Sequence, residues 1–118
     1  MKTPVLFLFF NRPDTTTRVF SVIREAKPAR LFLAADGARY EKEGERDLCR
    51  ETRSTVEEMI DWPCEVHRLY REENLGCRVA VSSAIDWFFE HVEDGIILED
   101  DTLPSSSFFR FAETMLER

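Results

Sequence analysis

Buried apolar runs alternate four times with segments of helical periodicity, and this alternation limits the fold more than any other feature of the chain. Continuous apolar runs are typical of parallel strands that are covered on both faces. The predicted strands are residues 5–10, 31–35, 64–69 and 95–98. Because a helical segment follows each strand, the pattern βαβαβαβα predicts an α/β fold. We expect a three-layer αβα sandwich with a mostly parallel, Rossmann-like sheet.

Local signals place the predicted helices. Pro13 suits the first turn of the first helix, and the second runs from about Glu45 until Pro63 stops it. The third begins near Cys77, at the start of an apolar stripe. The last helix would follow Pro104, with the candidate capping and buried-stripe residues Ser105, Ser106, Phe108, Phe111, Ala112 and Met115.

The third and fourth predicted strands differ in polarity. Residues 64–69 are mixed in polarity, which predicts a strand at a sheet edge. Residues 95–98 are as apolar as an interior strand, yet no fifth strand follows them. An uncovered apolar edge favours aggregation, so such edges are normally protected. Two explanations are open: the chain forms a homodimer along this edge, or it belongs to a longer domain.

Composition narrows the function and the compartment. Sixteen basic residues against 23 acidic ones give a net charge of −7, which argues against nucleic acid as the main partner. The odd set of Cys49, Cys64 and Cys77 contains no CxxC pair, which argues against a disulfide framework or a zinc site. No apolar run approaches the roughly 20 residues of a transmembrane helix. We therefore expect a cytoplasmic protein.

Ligands of parallel α/β sheets bind at the carboxyl ends of the strands. In this chain those ends carry residues 11–14, 36–39, 71–76 and 99–101. The first of these loops has no glycine, which removes both the dinucleotide fingerprint and the Walker phosphate loop. Kinases, NAD enzymes and nucleotidyltransferases are therefore not expected.

Glu99, Asp100 and Asp101 place three adjacent carboxylates where the fourth strand should end. Such carboxylates suit Mg²⁺ or Mn²⁺, and a diphosphate would complete the coordination of the ion. The alternative is a set of surface acids that interact with the dipole of the following helix.

Three further residues at this edge each have two interpretations. Asp36 either completes a turn with Gly37 or accepts a hydrogen bond from a nucleobase N–H or a ribose hydroxyl. Arg12 is either a solvated loop residue or a contact to the base or phosphates. Arg78, in the first turn of the third helix, is either a surface residue or a phosphate ligand.

Four stretches follow one another along the chain: "PVLFLFFNRPDTTTRVFSVI", "LFLAADG", "REENLGCRVAVSSAIDWFF" and "GIILEDDTLPSSSFFRF". Taken in this order, they resemble the nucleotide-sugar-binding half of GT-A fold glycosyltransferases, and more closely bacterial proteins of the family 2 type. The last stretch is also similar to the acidic, DXD-like motif region of eukaryotic N-acetylglucosaminyltransferase I. The resemblance covers nearly all 118 residues.

The resemblance implies a role for each matching residue. Asp101 would coordinate Mn²⁺ or Mg²⁺ that bridges the diphosphate of a nucleotide sugar, most simply a UDP-sugar. Asp100 and Glu99 would contact the ribose or the donor sugar. Asp36 would accept a hydrogen bond from uracil, and Arg12 would flank the nucleotide. Arg78 matches no family residue, so its phosphate role depends on the sequence context alone.

The implied activity is metal-assisted transfer of a sugar to a glycan or lipid-linked acceptor. Enzymes of the family continue beyond the acidic motif, and their later half carries the acceptor site and the general base. Residues 1–118 would thus be a truncated catalytic domain, a single nucleotide-sugar-binding half without an assignable base. The alternative is a non-catalytic nucleotide-binding or interaction module that dimerises through the fourth strand. A receiver-like domain is disfavoured because only Asp14 follows the first strand.

Overall fold

The structure, a computed structural model, describes residues 1–101 and Leu116. Strands and helices alternate along these residues, as the sequence predicts. They are β1 Val5–Phe9, α1 Pro13–Ala26, β2 Arg30–Ala35, α2 Glu45–Met59, β3 Glu65–Tyr70, α3 Cys77–Phe89 and β4 Ile96–Glu99. The helix predicted after Pro104, with its cap and buried stripe, lies outside the described residues.

The four strands form one sheet in the order β3-β2-β1-β4, and every neighbouring pair is parallel. Val5 of β1 lies opposite Leu31 on one side and Ile96 on the other. The chain thus builds the sheet outward from β1 to β3 and then crosses back to place β4 beside β1. Among the described residues only β2 pairs with β3, which confirms the prediction that β3 is an edge strand. The strand order reverses between β1 and β4, which is where open α/β sheets bind ligands.

Side chains of β1 alternate between two cores, because successive residues of a strand point to opposite faces. Phe7 packs with Phe20 of α1 and Val56 of α2 on one face. Leu6 packs with Phe88 of α3 on the other. All five side chains are fully buried, and each such burial stabilises the fold by about 1.5–3 kcal/mol. The protein is therefore an α/β domain with helices on both faces of a parallel sheet, a Rossmann-like layout.

The apolar character of β4 has a local explanation. Ile96 and Leu98 are buried in the core beneath α1 and α2, while Ile97 packs against the α3 side. Both faces of this short strand are covered, so its sequence resembles that of an interior strand. Within residues 1–101 and Leu116, only β1 pairs with it, which leaves its outer edge without a strand neighbour.

The helices have the lengths of ordinary globular helices, with 14 residues in α1, 15 in α2 and 13 in α3. A membrane span needs about 20 consecutive apolar residues. In the part of the chain that the structure describes, no helix combines the length and apolar character required to cross a bilayer.

Candidate functional site

A cavity of about 380 Å³ lies at the carboxyl ends of the four strands. Arg12 enters it after β1, Asp36 after β2, and Arg71 after β3, while residues 99–101 border it at the end of β4. Its volume falls within the range of small-molecule sites, roughly 300–1,000 Å³. All four strand ends that the sequence singled out therefore contribute to one concave surface.

Five of the six predicted site residues line this cavity, and they are Arg12, Asp36, Glu99, Asp100 and Asp101. Arg78 does not line it and is exposed on α3. The phase of the helix explains the difference, because Cys77, Ala80 and Ala84 form the α3 face that borders the cavity. A side chain one position after Cys77 is rotated by about 100° and leaves that face.

The charges of the cavity are divided between two signs. Glu99, Asp100 and Asp101 contribute carboxylates at the end of β4, and Arg12 adds a guanidinium at the end of β1. Two arginines that sequence reasoning did not select, Arg39 and Arg71, also line the cavity. Both lie in segments at strand ends, so their position was a usable signal. The cavity thus offers oxygen ligands for a cation and guanidinium donors for an anion.

Asp100 is the least exposed of the three adjacent acids, while Glu99 and Asp101 are exposed. Its backbone N–H donates to the carbonyl oxygen of Leu8 at 3.0 Å, which continues the pairing of β4 with β1. Burial raises the pKa of the Asp100 carboxyl, and the charge of Asp101 raises it further, against a smaller lowering by Arg12. Ionisation of Asp100 is therefore less favourable than that of a solvated aspartate, and a nearby cation would offset this difference in free energy.

The acidic triplet does not form a closed metal cage. Among residues 1–101 and Leu116, no group of three or more His, Cys, Asp or Glu side chains is arranged to hold a metal ion. Mg²⁺-type ions need no such cage, because one or two carboxylates with water and phosphate oxygens complete their shell. The hard oxygen donors of the triplet fit that mode of binding.

Asp36 is held by four hydrogen bonds from the protein. Its Oδ1 accepts from the backbone N–H groups of Gly37 and Leu75, both at 2.9 Å. Its Oδ2 accepts from Asn74 Nδ2 and from the backbone N–H of Gly76, both at 3.1 Å. The Asp36 carboxylate therefore accepts a hydrogen bond within the turn that contains Gly37. It also joins the end of β2 to the loop that leads into α3.

The loop of residues 71–76 lies directly on the turn after β2. Asn74 Nδ2 also donates to the carbonyl oxygen of Gly37 at 2.7 Å. A Cβ atom on Gly37 would stand 2.5 Å from both the carbonyl carbon and the oxygen of Glu73. Only a residue without a side chain allows this approach of two backbone segments.

Arg53 of α2 also joins the end of β2 to the start of the 71–76 loop. The sequence alone did not predict this role. Its Nη2 donates to the carbonyl oxygens of Asp36 at 3.0 Å and Arg71 at 2.8 Å. Its guanidinium carbon lies 5.0 Å from the centre of the Tyr70 ring, within cation–π range. An arginine in mid-helix gives no signal in a single sequence, because most such side chains are solvated.

Arg39 is fixed at the rim of the cavity by buried Glu45. Its Nε and its backbone N–H donate to Glu45 Oε1 at 3.0 Å, and its Nη2 donates to Oε2 at 2.7 Å. The hydrogen bonds from Arg39 lower the pKa of the Glu45 carboxyl against the opposing effect of burial. The pair therefore ties the loop after β2 to the start of α2.

Comparison with protein-family models, with curated proteins and with solved structures finds no match to this chain. The fold and the cavity alone define the class: an α/β protein with a parallel Rossmann-like sheet and a charged cavity at the carboxyl ends of its strands.

Proposed function

We propose that the cavity binds a nucleoside diphosphate sugar together with a divalent cation, and that the chain is the nucleotide-binding half of a GT-A type glycosyltransferase domain. The observation that carries the proposal is the meeting of the β4 carboxylates with Arg12, Arg39 and Arg71 in one cavity. A diphosphate with its metal ion presents both signs of charge. It needs oxygen ligands for the ion and donors for the phosphate oxygens.

Four of the six predicted residues have a role in this proposal. Asp101 would hold Mn²⁺ or Mg²⁺, with Glu99 and Asp100 directed to the ribose or donor sugar. Arg12, whose charge acts on the carboxyl of Asp100, would flank the nucleotide. Burial and the charge of Asp101 raise the pKa of Asp100, so a cation bound beside this carboxylate would favour its charged form.

The reaction that this proposal implies is transfer of the sugar from the diphosphate to a glycan or lipid-linked acceptor. A divalent ion held by Asp101 would supply neutralisation of the charge on the diphosphate. Residues of this chain bind and orient the donor, and no general base is assigned among them.

The test is calorimetric titration of UDP into the protein with Mn²⁺ and then with EDTA. We expect saturable binding that requires the metal. Asp86→Asn is the matched control, because Asp86 is exposed on α3 and does not line the cavity; it should bind as the wild type does. Metal-independent binding would remove the metal from the proposal, and absence of binding in both buffers would refute the proposed function.

A second candidate is a non-catalytic nucleotide-binding or interaction module that forms a homodimer through β4. The outer edge of β4 favours it, since only β1 pairs with that strand among the described residues. Sedimentation equilibrium with and without UDP tests this candidate. A stable dimer that binds UDP, but neither hydrolyses nor transfers from any UDP-sugar in a donor panel, would support it. A monomer at all concentrations would refute it.

A further inference from the structure

We infer that Asp36 is a positioning residue, which fixes the 71–76 loop against the end of β2, and that it does not read the nucleobase. This inference deepens the proposed function and depends on it for the identity of the ligand. The attachment of the loop can be measured without any ligand.

The Asp36 carboxylate has little acceptor capacity left for a ligand. An ionised carboxylate offers about four lone-pair sites. Four protein donors already contact Asp36, three of them backbone N–H groups and one the amide of Asn74. A base N–H would therefore have to displace one of these donors. Three of the four hydrogen bonds are partly buried, and a donor displaced from one of these would lose a bond that is costly to leave unmade.

Asp36 and Arg53 bind complementary backbone groups at the junction of the 71–76 loop and the end of β2. Asp36 accepts from the N–H groups of Leu75 and Gly76, while Arg53 donates to the carbonyl oxygens of Asp36 and Arg71. One side chain thus satisfies backbone donors and the other satisfies backbone acceptors at the same junction. Together the two side chains provide hydrogen-bond partners for both kinds of backbone group, as expected of residues that hold a loop in place.

The 71–76 loop forms part of the cavity wall. Arg71, Asn74 and Gly76 of the loop line the cavity, and so does Cys77 at the start of α3. If the loop detaches from β2, this whole wall moves. Every nucleotide should then bind less tightly, whatever its base. A direct contact to uracil would instead produce a loss confined to uridine nucleotides.

The experiment compares Asp36→Asn with the wild type by two measurements. Calorimetry with UDP, CDP and GDP in Mn²⁺ gives the affinities, and amide hydrogen exchange by NMR gives the protection of Leu75 and Gly76. We expect exchange of both amides to become at least tenfold faster. We also expect each nucleotide that binds the wild type to lose affinity by the same factor, about tenfold. Asp86→Asn is the control for loss of one carboxylate charge and should change neither measurement.

A loss of affinity confined to UDP, with exchange of both amides unchanged, would overturn the inference and restore the base contact. If no nucleotide binds the wild type, the proposed function fails and the exchange data alone decide the role of Asp36. If Asp36→Asn does not fold, Asn74→Ala removes one of the four donors and leaves the carboxylate. It should accelerate the same exchange to a smaller extent, and unchanged protection in that variant would also overturn the inference.

Discussion

Replacing Gly37 by Ala tests how tightly the 71–76 loop is packed on the turn after β2. The new Cβ would lie 2.5 Å from the carbonyl carbon and oxygen of Glu73 and 2.7 Å from the carbonyl carbon of Glu72. Carbon atoms in contact prefer about 3.5 Å, so the loop would have to retreat by about 1 Å. Backbone atoms cannot rotate away as the end of a side chain can. Overpacking of this kind costs about 1–3 kcal/mol.

The retreat would also break the 2.7 Å hydrogen bond from Asn74 to the carbonyl oxygen of Gly37, which contributes about 1 kcal/mol more. The expected loss in free energy of unfolding is therefore about 2–4 kcal/mol. For a domain of this size that corresponds to a fall in Tm of roughly 8–16 °C. Urea denaturation followed by tryptophan fluorescence, to which buried Trp62 contributes, measures the free energy, and calorimetry measures Tm.

Gly44→Ala is the control, because a Cβ there meets no atom within 4 Å although φ is +81°. Its cost is the strain of a left-handed backbone, about 1–2 kcal/mol. The Gly37 variant should therefore unfold at a lower urea concentration than the Gly44 variant. Equal midpoints for the Gly37 variant and the wild type would refute the argument from close approach.

Three further predictions concern the acids and the α3 core. Asp101→Ala should reduce Mn²⁺-dependent UDP affinity at least tenfold in calorimetry with no loss of Tm, because it removes charge from a repulsive cluster; unchanged affinity would refute the metal role. Because the pKa of Asp100 is raised in the folded state, its protonated carboxyl stabilises the fold at pH values below the ordinary pKa, about 3.9. This stabilisation is lost as the pH rises through the folded-state pKa. The stability of Asp100→Asn relative to wild type should therefore increase between about pH 3 and pH 7 in urea titrations, and a constant difference would contradict the shift. Phe88→Ala should cost about 3–5 kcal/mol by urea denaturation, because Phe88 is fully buried against Phe32; a cost below 1 kcal/mol would show that the site repacks.

The strands could be predicted from the sequence because their signal is local. The run at residues 5–10 and the strand Val5–Phe9 differ by one residue, and the run at residues 31–35 differs as little from Arg30–Ala35. Parallel pairing then places all carboxyl ends at one edge, so the rule for ligand sites predicted the region of the cavity. In that sense the fold class and the site's location follow from hydrophobic patterning and chain handedness.

The internal structure of the site could not be predicted in the same way. Asp36 meets Asn74 and Gly76 across 38 and 40 positions of the chain, and no local pattern specifies such partners. The outward position of Arg78 depends on the phase of α3, which in turn depends on the conformation of the preceding loop. Arg53 and Glu45 look like ordinary helix-surface residues until tertiary contacts bury their functional groups.

β4 is the shortest strand of the sheet, with four residues, and the three acids adjoin its carboxyl end. Among the described residues β4 pairs only with β1, so we expect it to open before β1, β2 and β3 separate from one another. Opening of β4 from β1 would dismantle the acidic side of the cavity while leaving β1, β2 and β3 paired. A ligand that bridges the acids and Arg12 would therefore stabilise the pairing of β4 with β1 by a free energy that rises with the logarithm of 1 + L/Kd, where L is the free ligand concentration.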